Sequence, residues 1–164
     1  MEGVLEVCAD LPDVAFAPGD VVLREGGRDG RIFVLISGTV AVMKGDVRVT
    51  RIRNPGALFG EMSVLLGMPY SATVVAETPV RMRLVQDGEA FLRSTPEVAL
   101  HAARLLAQRL HDTTTYLADL KAQFEGRTDH FGMVDRIIGT LLNHQTDRNK
   151  AAALPTEVKG DSRL

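Results

Sequence analysis

Apolar residues along this chain change rhythm once, near Asp87. Before it they come in short runs divided by turn residues at roughly 8–12-residue spacing, which fits the short strands of a sandwich or barrel. Val21-Val22-Leu23, Ile32 to Ile36, Val40 to Met43, Val47 to Ile52, Ser71 to Ala76 and Val80 to Val85 read as strands, with another starting at Val14. Pro18-Gly19-Asp20, Glu25 to Gly30, Ser37-Gly38, Lys44-Gly45-Asp46 and Thr78-Pro79 punctuate them as turns, giving about eight strands in all. Residues 1–10 precede them as a short amphipathic helix with Val4, Leu5 and Cys8 on one side.

Between Pro55 and Ala76 the pattern reads as strand end, one helical segment, tight loop, new strand. Glu61 to Leu66 has the length of a short helix, and Gly67 and Pro69 then turn the chain. Unpaired N–H groups at a helix start, facing those of a strand opening at Ser71, favour negative charge. The Glu61 carboxylate beside them is an acceptor suited to a sugar hydroxyl. That combination asks for a phosphorylated sugar.

Past Asp87 the period is helical. Asp87 to Leu92 begins a short helix. Thr95-Pro96-Glu97 then marks a second helix start: Thr95 caps, Pro96 loses nothing by its missing N–H, and Glu97 suits the dipole. This helix is expected to run to Phe124, with Gly126 as its stop, about 30 residues or ~45 Å. Ala99, Ala103, Leu106, Leu110, Thr113, Leu117, Leu120 and Phe124 recur in steps of four and three, the seam of a coiled coil. A helix that outruns a small β-roll is expected to pack its seam, Ala103 to Phe124, on a copy in a second subunit. Met133 to Asn143 reads as a further amphipathic helix. The expected organisation is a domain over 1–125 whose long helix takes about 96–125, a short extra helix within 126–144, and a mobile tail over 145–164.

Composition narrows the function. The chain has 164 residues, is 45% hydrophobic and carries a net charge of −2. No apolar run approaches the ~20 residues of a membrane span. Glu2, Glu6 and Asp10 are unlike the basic start of a signal peptide, so a cytoplasmic protein without a membrane partner is expected. Cys8 is the only cysteine, which excludes an intramolecular disulfide and a cysteine metal site. The acidic balance gives no electrostatic footprint for nucleic acid. His101, His111, His130 and His144 all fall in the helical half, away from the strands where a jelly-roll metal site would need them. No Ser-His-Asp arrangement or nucleotide P-loop appears. No enzyme and no cofactor is expected.

The run Phe59-Gly60-Glu61-Met62, followed about ten residues later by Ser71-Ala72-Thr73, resembles the phosphate-binding cassette of the cyclic-nucleotide-binding domain family. Phe16, Pro18-Gly19, Glu25-Gly26, Ile36, Gly38, Val40 and Val42 are similar to the same family's jelly roll, and the likeness covers about residues 12–125. It implies a mainly β fold, a double-stranded β-helix (jelly-roll) with short flanking helices and a long C-terminal helix. It also implies a site: Glu61 holds the ribose 2′-hydroxyl within its Phe59, Gly60 and Met62 frame, while Ser71 and Ala72 give backbone N–H groups to the cyclic phosphate. The family places an arginine where this chain has Tyr70, so the charged contact to the phosphate is replaced by a neutral one. Arg81 or Arg83 on the next strand are candidates for a displaced cation.

Thr113 and Thr114 correspond to a Thr-Ser pair that, in the bacterial cyclic-AMP receptor transcription factors, contacts the base across the dimer. Read without the resemblance, Thr113 is a polar seam residue that sets register. Met133 to Asn143 resembles the helix that opens those regulators' DNA-binding domain, but no second and third helix follow it, so direct DNA binding is not expected. The resulting expectation is a regulatory ligand-sensing module and homodimer, binding cyclic AMP or cyclic GMP with cyclic AMP first. One alternative is a degenerate domain, its pocket filled by Tyr70, acting as a dimeric protein–protein module. Another is the front part of a longer transcription factor.

Overall fold

The structure, a computed structural model, describes residues 2–124. They form α1 (Glu2–Val7), eight strands with a short helix among them, and two further helices. The strands are β1 (Asp13–Phe16), β2 (Val21–Leu23), β3 (Ile32–Ser37), β4 (Val40–Lys44), β5 (Val47–Ile52), β6 (Leu58–Phe59), β7 (Thr73–Ala76) and β8 (Val80–Val85). The helices are α2 (Glu61–Leu66), α3 (Gly88–Ser94) and α4 (Pro96–Phe124). The chain divides into two compact units, Met1–Leu106 and Ala107–Leu164, with the boundary inside α4.

The first unit holds two four-stranded antiparallel sheets, in the orders β1-β8-β3-β6 and β2-β7-β4-β5. Strand β3 explains why both faces of the first sheet are covered. Successive side chains of a strand point to opposite faces. Phe33 and Leu35 accordingly join the core between the sheets, with Val22, Val40, Phe59, Tyr70, Val74 and Met82. Ile32 and Val34 join a second core, where Val4, Cys8, Leu92, Val98 and Ala102 bring α1, α3 and the start of α4 onto the outer face. Full burial of an aliphatic side chain of this size is worth about 1.5–3 kcal/mol, so β3 contributes to two cores at once.

The jelly-roll expectation holds, with local differences. Strand β7 begins at Thr73 rather than Ser71, so Ser71 and Ala72 stay outside its ladder. Asp87 caps α3, its carboxylate accepting from the Ala90 N–H at 3.0 Å. In the first turns of α4 the deeply buried row is Val98 and Ala102, one position before the expected seam residues Ala99 and Ala103, because this end of the helix packs on its own β-sheet. Ala103 and Leu110 are exposed and Ala99, Leu106, Leu117 and Leu120 half-buried. The expected Gly126 stop, the extra helix within 126–144 and the tail 145–164 lie outside the described residues.

Candidate functional site

Helix α2 is bracketed by two left-handed glycines. Gly60 at its N-cap has φ +92° and Gly67 past its end has φ +63°, both in the region that favours glycine. The Gly67 N–H bonds the Ser63 carbonyl, and the Ser63 hydroxyl bonds the Met68 carbonyl, so the turn is held from both ends. Position 60 also has no room for a side chain. A Cβ there would collide with the Arg31 carbonyl oxygen and come within 3.2 Å of the Tyr70 ring.

Glu61, the first residue of α2, is 2% exposed, and Phe59 ahead of it is buried on β6. Among the described residues no buried side-chain nitrogen or oxygen lacks a partner, so this carboxylate is accommodated as it stands. Met62 is exposed on the outer side of the helix. Ser71 is exposed and Ala72 half-buried in the turn before β7. Six of the expected site residues, Phe59 to Met62 with Ser71 and Ala72, thus sit on one continuous loop–helix–turn of the first unit.

Tyr70 is the seventh, and it points inward at 5% exposure. Its hydroxyl meets the Asp29 carboxylate, accepts from the Arg31 N–H at 3.0 Å and lies 3.1 Å from the Arg31 carbonyl. Burial, and then the hydrogen bond to Asp29, push the phenol's pKa upward, so it is neutral wherever the protein is folded near neutrality. Backbone bonds fasten the same segment to the β2–β3 loop: the Gly26 N–H donates to the Tyr70 carbonyl and the Tyr70 N–H to the Gly27 carbonyl, each at 2.9 Å. The Glu25 N–H adds a bond to the Thr73 hydroxyl at 3.0 Å.

The expected displaced cation does not come from β8. Arg81 pairs with Asp13, and Arg83 donates to the Leu11 carbonyl at 3.0 Å. Both reach toward β1, the neighbour of β8 in the same sheet and not in the sheet of β7, a consequence of the β1–β8 register that sets Asp13 opposite Arg83. A different cation reaches the turn instead. The Lys44 ammonium, at the end of β4, donates to the Ser71 carbonyl at 2.7 Å and pairs with Glu25. Lys44 and the Gly45 N–H hold the Glu25 carboxyl below the usual carboxylate range. Nothing in the apolar pattern marks Lys44, which lies 27 residues from Ser71 in sequence.

Two clefts open near this region. One of about 250 Å³ is lined by Val21 to Arg24, Gly27, Asp29 and Tyr70. The other, about 460 Å³, lies along α2 between Arg28–Gly30, Ser63–Val64 and the residues around Asp87. Neither is lined by Glu61, Ser71 or Ala72. Among the described residues no cluster of His, Cys, Asp and Glu could hold a metal, and His101 bonds the Gly56 carbonyl at 3.0 Å.

In the second unit, the Thr113 hydroxyl donates to the Arg109 carbonyl one turn back along α4, at 2.7 Å, and Thr114 is half-buried. No helix among the described residues is long and apolar enough to cross a membrane.

Residues 13–93, which hold the eight strands and the cassette, match a known family model, the cyclic nucleotide-binding domain. Residues 13–93 belong to the cyclic nucleotide-binding domain family. Similar proteins include a CRP-like cAMP-activated global transcriptional regulator of Mycobacterium tuberculosis. It is 31% identical over 116 residues, which are 67% of this chain and 52% of that protein. A cAMP-dependent protein kinase regulatory subunit of Hypocrea atroviridis is 35% identical over 89 residues, 49% of this chain and 19% of its own length. Among solved structures, the catabolite activator protein of Thermus thermophilus superposes with a TM-score of 0.60 at 24% identity, over 74% of this chain and 60% of that one. The chain spans about half the length of the Mycobacterium regulator. The cyclic nucleotide-binding domain here therefore resembles the sensor part of such regulators, and the fold is theirs.

Proposed function

We propose that this chain is a regulatory sensor that binds a cyclic nucleotide, cyclic AMP first, and signals as a homodimer through α4. The observation that carries the reading is the cassette itself. The buried Glu61 follows left-handed Gly60 at the start of α2, and the turn at Ser71 and Ala72 is left out of the β7 ladder. In this reading Glu61 takes the ribose hydroxyl, framed by Phe59, Gly60 and Met62, and the Ser71 and Ala72 N–H groups take the cyclic phosphate. Thr113 and Thr114 complete the site from the second copy. More of the similar proteins carry cyclic AMP in their names than cyclic GMP, which puts cyclic AMP first. A cytoplasmic location goes with this role, and no catalytic step or direct DNA contact is part of it.

One observation favours a second reading. Tyr70 is buried, neutral and bonded to Asp29 and Arg31, so at position 70 the segment that would receive the phosphate presents a filled, uncharged side chain. A domain closed in this way would act as a dimeric protein–protein module without a nucleotide. Calorimetric titration of the native protein with cyclic AMP and cyclic GMP separates the two: saturable heat supports the sensor, and none supports the closed module.

A further inference from the structure

We infer that Lys44 supplies the positive charge for the ligand's phosphate, a part that position 70 does not play in this chain. The inference rests on the cyclic-nucleotide reading and names a residue for that same site. Strand register puts Lys44 there. Met43 pairs with Thr73 and Val42 with Val74 across β4 and β7, so one step further Lys44 stands level with Ala72 at the mouth of the strand. Its ammonium confirms the placement by bonding the Ser71 carbonyl at 2.7 Å.

A lysine ammonium has three N–H donors. Two are engaged here, by the Ser71 carbonyl and by Glu25, and the third remains for a ligand. The side chain is mostly exposed on a flexible stem, so its head can follow an incoming phosphate as a point charge. The other cations around the cassette are placed less well. Arg81 and Arg83 are engaged with β1 and the segment before it. Arg31 lies 3.7 Å from Asp29, and Arg24 lines the small cleft beside Tyr70 without bonding the 71–72 turn. Glu25 counteracts part of the Lys44 charge, which gives the idea a second handle of opposite sign.

Cyclic AMP is titrated calorimetrically into the native protein, Lys44→Gln, Glu25→Gln and Arg24→Gln at low and moderate salt. Lys44→Gln should weaken binding by about tenfold, the difference between a charge-assisted and a neutral contact, and flatten its salt dependence. Glu25→Gln should tighten binding, and Arg24→Gln should leave it unchanged. Native binding that Lys44→Gln leaves intact would overturn the role of Lys44 while sparing the sensor reading. So would a loss confined to Arg24→Gln. Absence of binding by the native protein would overturn both.

Discussion

The ring of Tyr70 occupies the space that a side chain at position 60 would need, with its Cε1 3.2 Å from where a Gly60 Cβ would stand. Gly60 is therefore constrained three times over: by its φ of +92°, by the Arg31 carbonyl and by this ring. Gly60→Ala should lower stability by roughly 1–3 kcal/mol, the cost of a non-glycine residue in a strained left-handed position with no space to relax. Urea unfolding followed by circular dichroism measures it. A loss within experimental error would mean that the α2 entry rearranges freely.

Tyr70 ties the cassette to the β2–β3 loop through a phenol whose pKa is raised, first by burial and then by Asp29. The sign follows from linkage. An unfolded tyrosine titrates near pH ~10. Above that the unfolded chain loses this proton while the folded one keeps it, so Tyr70 stabilises the fold fully below pH ~10 and progressively less above. Tyr70→Phe should cost about 0.5–1.5 kcal/mol at neutral pH and remove part of the alkaline decline. Denaturation midpoints across alkaline pH, native against Tyr70→Phe, test this. Parallel curves for the two proteins would contradict it.

Most of the β-roll was legible in the sequence, because strand runs and turn residues are local signals. Helix α2 came out with its bounds intact for the same reason, Gly60 and Gly67 marking its two ends. What was not legible depends on register and reach. Alternation along β8 could not tell that Arg81 and Arg83 are drawn to Asp13 and Leu11, since that follows from the pairing of β1 with β8. The inward aim of Tyr70 depends on Asp29 and Arg31, about forty positions away. Lys44 was missed because a lysine beside a hairpin glycine looks like ordinary turn chemistry until β4 is set against β7. The heptad row of α4 is a local pattern, but the helix's first turns bury the neighbouring row, Val98 and Ala102, against the β-sheet.

The proposed dimer rests on that row. Leu110 is 54% exposed in the single chain and stands in the middle of the expected seam. A glutamate there would place an unpaired charge in the dimer interface at a cost of several kcal/mol. Sedimentation velocity of Leu110→Glu should show a folded monomer where the native protein sediments as a dimer. A dimer that survives the substitution would place the interface elsewhere.

The central claim is that the loop–helix–turn from Phe59 to Ala72 holds a cyclic nucleotide, and calorimetric titration with cyclic AMP addresses it most directly. The native protein should bind weakly, because the single Lys44 charge, shared with Glu25, is the only charge-assisted contact proposed here and Tyr70 adds none. Tyr70→Arg should strengthen binding about ten- to hundredfold, the value of a charge-assisted contact, and Glu61→Ala should abolish most of it by removing the ribose acceptor. Tight binding by the native protein that persists undiminished in Glu61→Ala would contradict the claim, since the ligand would then be held outside this cassette.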